Sequence, residues 1–143
     1  MKRDKLLALV IGNIATGKTT FIQSLNNRKN RTIILNDNYP DVTNCDLSND
    51  IYEALLNDKT VILEGNYLDR HIRSQVINPV KSNIGNVKFI CFDFGPGNNE
   101  TLKRRLQNTI SNKEKVIEVH NKYFSQYKKP ILQEGFLKII KCY

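Results

Sequence analysis

Hydrophobic residues occur along the chain in short runs that polar stretches separate. The first run, 6–11, is unbroken, which predicts a strand buried on both faces, because a strand with one solvent-facing side would alternate apolar and polar residues. Four later runs are rich in branched aliphatic and aromatic residues, which favour strands. The predicted strands are 5–11, 31–35, 60–64, 87–92 and 136–140.

The segments between these runs carry helical spacing or helix-start signals. Residues 45–50 predict a polar loop, and Ser111 with Glu114 predicts a capping box for the last helix. The predicted helices are 18–25, 51–56, 69–78, which stops before Pro79, 100–108 and a helix that starts at the capping box and runs through Tyr123. Regular alternation of strands and helices predicts a three-layer α/β/α domain with a central parallel sheet of about five strands.

Residues 12–19 spell G-x-x-x-x-G-K-[ST] between the first strand and the first helix. This pattern in this context is typical of the phosphate-binding P-loop, in which glycines let the backbone curl around a phosphate chain. The fold class is therefore the P-loop NTPase type, adenylate-kinase-like. Lys18 is expected to reach the β- and γ-phosphates of ATP, and the Thr19 hydroxyl to bind Mg²⁺. The expected nucleotide-binding residues are Gly12, Asn13, Ile14, Ala15, Thr16, Gly17, Lys18, Thr19 and Thr20.

Charged side chains follow the second and third predicted strands, where ligands of open α/β sheets bind. Asp37 is either the base that accepts the proton of an acceptor hydroxyl or an ordinary turn residue. Glu64 is either a Mg²⁺ ligand acting through water or an acid that orders a loop or caps a helix. Arg104 and Arg105 are adjacent on a helix, so we expect at most one of them to point at the phosphates. Residues 100–115 form either a lid over ATP or a solvated basic helix.

The composition is that of one domain covering residues 1–143, with a net charge of +8 and a pI near 9.5. This charge suits a polyanionic partner, although many basic surfaces are merely solvated. The three cysteines are scattered without metal-ligand spacing, and no apolar run approaches the length of a membrane span. We therefore expect reduced thiols, no membrane partner and a cytoplasmic location.

Four blocks in order resemble the kinase domain of polynucleotide 5′-hydroxyl kinases. The first is the P-loop, and the second, 35–39 (LNDNY), is similar to the family's N-R-D-D-Y block. The third, 61–68 (VILEGNYL), followed by Arg73, is similar to the family's strand ending in D-x-T-N-x. The fourth runs from Val116 to Ile139 and is similar to the closing F-x-x-P-x-x-x-E-G-F-x-x-I pattern. The resemblance covers nearly the whole chain.

The resemblance implies transfer of the γ-phosphate of ATP, with Mg²⁺, to the 5′-hydroxyl end of DNA or RNA in nucleic-acid repair. It makes Asp37 the general base and Arg104 or Arg105 the lid arginine. The substrate-binding residues it implies are Asn38, Tyr39, Asn66, Arg70 and Arg73. Arg70 or Arg73 would hold the acceptor phosphate, because Pro40 stands where the family usually has an arginine. The chain also lacks the family's second lid arginine, since Asn108 and Thr109 occupy that position.

Two other functions remain open at this stage. One is a small-molecule or nucleoside/nucleotide kinase of the same fold, because fold alone does not settle the acceptor. The other is a non-catalytic ATP-binding regulatory protein, which the altered lid and Pro40 keep open. The sequence assigns no oligomeric state.

Overall fold

The computed structural model describes residues 4–14, 16–25, 31–35, 45–65 and 67–143. These residues form an α/β domain in which strands and helices alternate. The strands are β1 (Lys5–Ile11), β2 (Arg31–Leu35), β3 (Thr60–Gly65), β4 (Val87–Asp93) and β5 (Lys138–Lys141). The helices are α1 (Lys18–Ser24), α2 (Cys45–Leu56), α3 (Arg70–Asn83), α4 (Asn99–Gln107) and α5 (Lys113–Gln126).

The strands make one sheet in the order β2-β3-β1-β4-β5, and every neighbouring pair is parallel. β1 is central: Leu9 lies in register with Leu63 of β3 on one side and with Cys91 of β4 on the other. Residues 7–11 are all buried, which confirms the prediction from the unbroken apolar run. The order of the strands reverses beside β1, which opens the carboxyl edge between the loops that follow β1 and β4.

Helices cover both faces of the sheet and give it three layers. Apolar side chains of α2 and α3 pack on the face of the sheet that carries Leu7, Leu9 and Ile11. The opposite face, which carries Ala8 and Val10, packs against α1 and the segment after β4. No helix among the described residues is long and apolar enough to cross a membrane.

Two helices extend further than the sequence predicted. α2 begins at Cys45 rather than at Ile51, because Leu47 adds one turn to the apolar stripe and is 1% exposed. α3 continues past Pro79 to Asn83. An interior proline costs about 3 kcal/mol. Val76 and Val80 are buried on either side of it, so packing of the apolar face on the sheet outweighs that cost.

Two local predictions near the end of the chain are wrong. The capping box at Ser111 does not form: Asn112 precedes α5 in the left-handed conformation, and no side chain caps the helix. β5 starts at Lys138 rather than at Phe136. Phe136 follows a turn at Gly135 and precedes β5. Its side chain is 5% exposed and packs in the same core cluster as apolar residues of α3.

Candidate functional site

The loop between β1 and α1 carries the G-x-x-x-x-G-K-T pattern at the carboxyl edge of the sheet. Gly12 has φ +152°, and a Cβ there would lie 2.7 Å from the Cβ of Phe94. Gly17 has φ +99°, a conformation that side chains disfavour. Thr16 closes the turn by donating its hydroxyl hydrogen bond to the Asn13 carbonyl at 2.6 Å. The positive φ angles at both positions, and the close contact of Gly12 with Phe94, therefore favour glycine over any other residue.

Lys18 is the first residue of α1 and is 7% exposed. Its amine donates a hydrogen bond to the Gly12 carbonyl, which lies in the same loop. The amine also lies 3.6 Å from Oε1 of Glu64, at the end of β3. A cation thus lies at the base of the loop, beside a carboxylate from the neighbouring strand.

A cavity of about 690 Å³ opens over this loop. Its size is within the range of small-ligand sites in proteins. The loop and α1 supply one wall, β3 supplies Glu64, and the helix pair α4–α5 supplies the opposite wall. The lining residues are Ile14, Thr16, Gly17, Lys18, Thr19, Thr20, Glu64, Arg104, Arg105, Asn108 and Val119.

Arg104 and Arg105 are adjacent on α4, and both line this cavity. Successive helix positions differ by about 100°. That at most one of the two points at the phosphates stays a prediction. Asn108 and Val119 complete this wall; sequence reasoning did not assign either of them to the site.

The chemistry of Thr19 and Glu64 fits Mg²⁺, which prefers oxygen ligands. Both side chains line the same cavity, and the Glu64 side chain is 13% exposed. No cluster of three or more His, Cys, Asp or Glu able to hold a metal occurs in the part of the chain that the structure describes. A magnesium ion bound by one or two protein oxygens and by substrate phosphates needs no such cluster.

Arg73 does not serve as an acceptor clamp, because it is fully buried and its guanidinium is used inside the protein. Nε donates to Oε1 of Glu134 at 2.7 Å, and Nη2 donates to Oε2 of the same carboxylate at 3.2 Å. Nη1 donates to the Tyr67 carbonyl and Nη2 to the Lys128 carbonyl. The arginine of the third block and the glutamate of the fourth therefore form a structural ion pair.

Of the remaining predicted acceptor residues, the structure describes only Arg70. Asp37, Asn38, Tyr39 and Asn66 lie outside the described residues, as does Ala15 of the loop. Arg70 begins α3 and is exposed.

A second cavity of about 310 Å³ adjoins the first and shares Thr16 and Arg104 with it. Aromatic and turn residues after β4, together with the last residues of the chain, line it. Its other lining residues are Phe94, Pro96, Gly97, Asn98, Thr101, Cys142 and Tyr143. A flat apolar group and a polyanion can thus occupy adjoining spaces.

A buried polar layer supports the loop that follows β4. Asp93, the last residue of β4, is 1% exposed and accepts hydrogen bonds from the Tyr127 hydroxyl at 2.6 Å and from Gly95 N at 2.9 Å. Burial, and then the hydrogen bond to Asp93, raise the pKa of Tyr127, so this hydroxyl remains a donor. The sequence analysis assigned no role to Asp93, although a carboxylate at a strand end was the available signal.

No protein-family model and no curated protein matches the chain. Among solved structures, a gluconokinase from Sinorhizobium meliloti 1021 is similar, with a TM-score of 0.59 and 14% identity over 98% of this chain and 83% of the gluconokinase chain. The solved structure of APE1195 is similar as well, with a TM-score of 0.60 and 14% identity over 99% of this chain and 87% of that chain. At this identity the likeness shows the fold, and this chain has a three-layer α/β fold that a gluconokinase also uses.

Proposed function

We propose that the protein is an ATP-dependent kinase that phosphorylates a hydroxyl group of a small-molecule or nucleotide acceptor. The observation that supports this most is the convergence of Lys18, Arg104 and Arg105 on one cavity above a glycine-bounded loop. Three cations around a small cavity suit a triphosphate. The gluconokinase fold supports the same class of reaction.

The reaction is an in-line transfer. The acceptor oxygen forms a bond to the γ-phosphorus, the bond from that phosphorus to the bridging oxygen breaks, and ADP leaves. Lys18 and the two arginines stabilise the charge that develops on the transferring group. Asp37 is the proposed base for the hydroxyl proton, from its position after β2 in the sequence. Catalysis is mainly a matter of position and charge.

Within this proposal the phosphates of ATP lie in the larger cavity and the nucleobase lies in the adjoining one. Phe94 and Tyr143 give that second cavity aromatic walls. Thr16 and Arg104 lie where the two cavities meet and contact the middle of the nucleotide. Mg²⁺, when bound at Thr19 and Glu64, neutralises phosphate charge.

Glu64→Gln is expected to raise the Mg²⁺ concentration for half-maximal activity by about tenfold, because it weakens one of two oxygen ligands. The measurement is a Mg²⁺ titration of kinase activity at fixed ATP. Glu53→Gln, which changes an acidic residue of α2 that lines neither cavity, serves as the control and should leave the titration unchanged. An unchanged Mg²⁺ requirement in Glu64→Gln would remove Glu64 from the metal site.

Arg104→Ala and Arg105→Ala are each expected to lower kcat by about ten- to a hundredfold, because each removes a cation from the transferring phosphate. Lys103→Ala is the matched control, since Lys103 is an exposed cation on the same helix and does not line the cavity. Steady-state kinetics of all three variants at saturating ATP make the comparison. Equal losses in Lys103→Ala would indicate that general basic charge matters rather than these two positions.

A 5′-hydroxyl polynucleotide is the second candidate acceptor, and the distribution of charge favours it. Residues 99–143 contain ten Lys or Arg and four Asp or Glu, so they carry most of the net charge of +8. α4 and α5, which line the cavity, belong to this segment. The four sequence blocks that resemble polynucleotide kinases point in the same direction.

A panel of acceptors separates the two candidates. The panel contains gluconate and other sugar acids, nucleosides, nucleoside monophosphates and a short oligonucleotide with a 5′-hydroxyl, each offered with γ-labelled ATP and Mg²⁺. The same oligonucleotide with a 5′-phosphate is the control. Label on a small acceptor supports the first candidate, and label on the oligonucleotide alone supports the second.

The salt dependence of kcat/KM gives an independent criterion for choosing between the two candidate acceptors. For a polynucleotide acceptor, kcat/KM should fall by at least about tenfold between roughly 50 and 200 mM salt, because phosphate contacts release counterions. A small uncharged acceptor should show little dependence beyond that of ATP itself. The titration uses whichever acceptor the panel identifies, with the ATP concentration held saturating.

A further inference from the structure

Asn13, the second residue of the loop, is fully buried, and both polar atoms of its amide are hydrogen-bonded. Nδ2 donates hydrogen bonds to the Pro96 carbonyl at 2.7 Å and to the His120 carbonyl at 3.0 Å. Oδ1 accepts from Ile14 N at 2.8 Å. One side chain therefore joins the loop to the segment that enters α4 and to the middle of α5.

Backbone hydrogen bonds strengthen the first of these two connections. Asn13 N donates to the Gly95 carbonyl at 3.0 Å, and Phe94 N donates to the Ile11 carbonyl at 2.8 Å. The link to α5 includes the hydrogen bond from Asn13 Nδ2 to the His120 carbonyl. Gly12 of the loop also interacts through its backbone with the Tyr123 hydroxyl of α5. The Asn13 hydrogen bond is the side-chain contact between loop and α5 that a single substitution in the loop can remove.

The helix pair α4–α5 also contributes to the larger cavity. Arg104 and Arg105 of α4 and Val119 of α5 line it together with the loop residues. Val119 precedes His120, whose carbonyl accepts the Asn13 hydrogen bond. A movement of the helix pair toward bound phosphates must therefore act on α5 at the point where Asn13 holds it.

The contact is tightly packed as well as hydrogen-bonded. The His120 ring is 3% exposed and lies against Gly97, where an added Cβ would be 3.1 Å from Nε2 and 3.2 Å from the Asn13 Cβ. The ring also stacks on Phe124, with centroids 6.3 Å apart. Close packing of this kind transmits a displacement rather than absorbing it.

We propose that Asn13 is a positioning residue that couples occupancy of the phosphate loop to the position of the helix pair α4–α5. Phosphates that order the loop fix Asn13, which in turn fixes Pro96 and His120 and holds Arg104 and Arg105 over the transferring group. The inference rests on the proposed function, because it requires a nucleotide in the larger cavity. It assigns Asn13 no contact with the reacting atoms.

Limited trypsin digestion tests the coupling directly. α5 begins with Lys113, and Lys115 follows; both are exposed and neither lines the larger cavity, so the cleavage sites lie outside the proposed nucleotide site. Cleavage after these two residues is measured by mass spectrometry, with and without the non-hydrolysable analogue adenosine 5′-(β,γ-imido)triphosphate and Mg²⁺. The wild-type protein should be protected at least about fivefold, the lower end of typical coupling between sites.

At an analogue concentration that saturates each variant in calorimetry, Asn13→Ala should reduce this protection to less than about twofold and lower kcat. Asn13→Asp, which keeps the size of the side chain and the acceptor for Ile14 N but loses both N–H donors, should behave in the same way. Asn57→Ala is the matched control, because the Asn57 amide, just after α2, donates to the Glu53 carbonyl at 2.9 Å on the exposed surface and lines neither cavity. A purely structural role for Asn13 would speed cleavage equally with and without the analogue and leave the protection ratio unchanged.

The outcomes separate this inference from the proposed function. Wild-type protection that persists at full strength in both Asn13 variants overturns the coupling and leaves the kinase proposal standing. A wild-type protein that neither binds the analogue by calorimetry nor becomes protected overturns the kinase proposal itself. Analogue binding without wild-type protection also overturns the coupling.

Discussion

Lys18→Met is expected to lower kcat by about a thousandfold, the upper end of the losses that follow removal of one preorganised donor from a developing negative charge. The Lys18 amine is 3.6 Å from Glu64 and lines the cavity from the side of the loop. Methionine is of similar length without the charge, so the proposed phosphate site loses a cation and the loop loses the hydrogen bond to the Gly12 carbonyl and the pairing with Glu64. Steady-state kinetics of the purified variant give kcat, and thermal unfolding shows whether the variant is folded.

Lys88→Met is the control for this experiment. Lys88 pairs with Asp4 at 2.9 Å on the surface, where both side chains are about half exposed, so its loss should change neither activity nor stability measurably. A folded Lys18→Met protein that retains wild-type kcat would contradict the assignment of the larger cavity to the triphosphate.

Arg73→Ala is expected to lower the free energy of unfolding by about 3–5 kcal/mol, the usual cost of removing one partner of a buried ion pair. Arg73 is fully buried and Glu134 has a side-chain exposure of 8%, so the remaining carboxylate would lose its fork of two donors. Two backbone carbonyls would lose their donors as well. Urea unfolding measures the loss, which is a large fraction of the stability of a typical domain.

Glu134→Ala should lower the free energy of unfolding by a similar amount. The double variant should lose less than the sum of the two single losses, because both changes remove the same interaction. Arg73→Lys, which keeps the charge and loses the bidentate geometry, provides a variant for kinetics if Arg73→Ala does not fold. Its KM for the acceptor should equal that of the wild type. Normal stability together with a raised acceptor KM would return Arg73 to the acceptor site.

The sequence was sufficient to predict the sheet because each strand has a clear pattern. The unbroken run 6–11 predicted that β1 would be buried on both faces, and it is. The G-x-x-x-x-G-K-T pattern predicted a tight turn after this strand, and the structure shows positive φ at both Gly12 and Gly17. These features are local, so they can be recognised from neighbouring residues alone.

The errors concern interactions between residues that are distant in the sequence. Arg73 and Glu134 are 61 positions apart, and nothing near either residue shows that they pair. Val119 lines the cavity because α5 packs against α4, which helical periodicity does not reveal. The predictions at Pro79 and Ser111 rested on local propensity alone. At Pro79, packing of α3 on the sheet outweighs the cost of the proline, so the helix continues. At Ser111, the left-handed conformation of Asn112 replaces the predicted capping box.

Transfer of label from γ-labelled ATP to the acceptor panel, run with the wild-type protein and Lys18→Met side by side, tests the central claim most directly. The account predicts that one acceptor class takes up label, that ADP appears in equal amount, and that Lys18→Met loses the activity while it remains folded. ATP binding without transfer to any acceptor would contradict the kinase proposal and favour a non-catalytic nucleotide-binding protein.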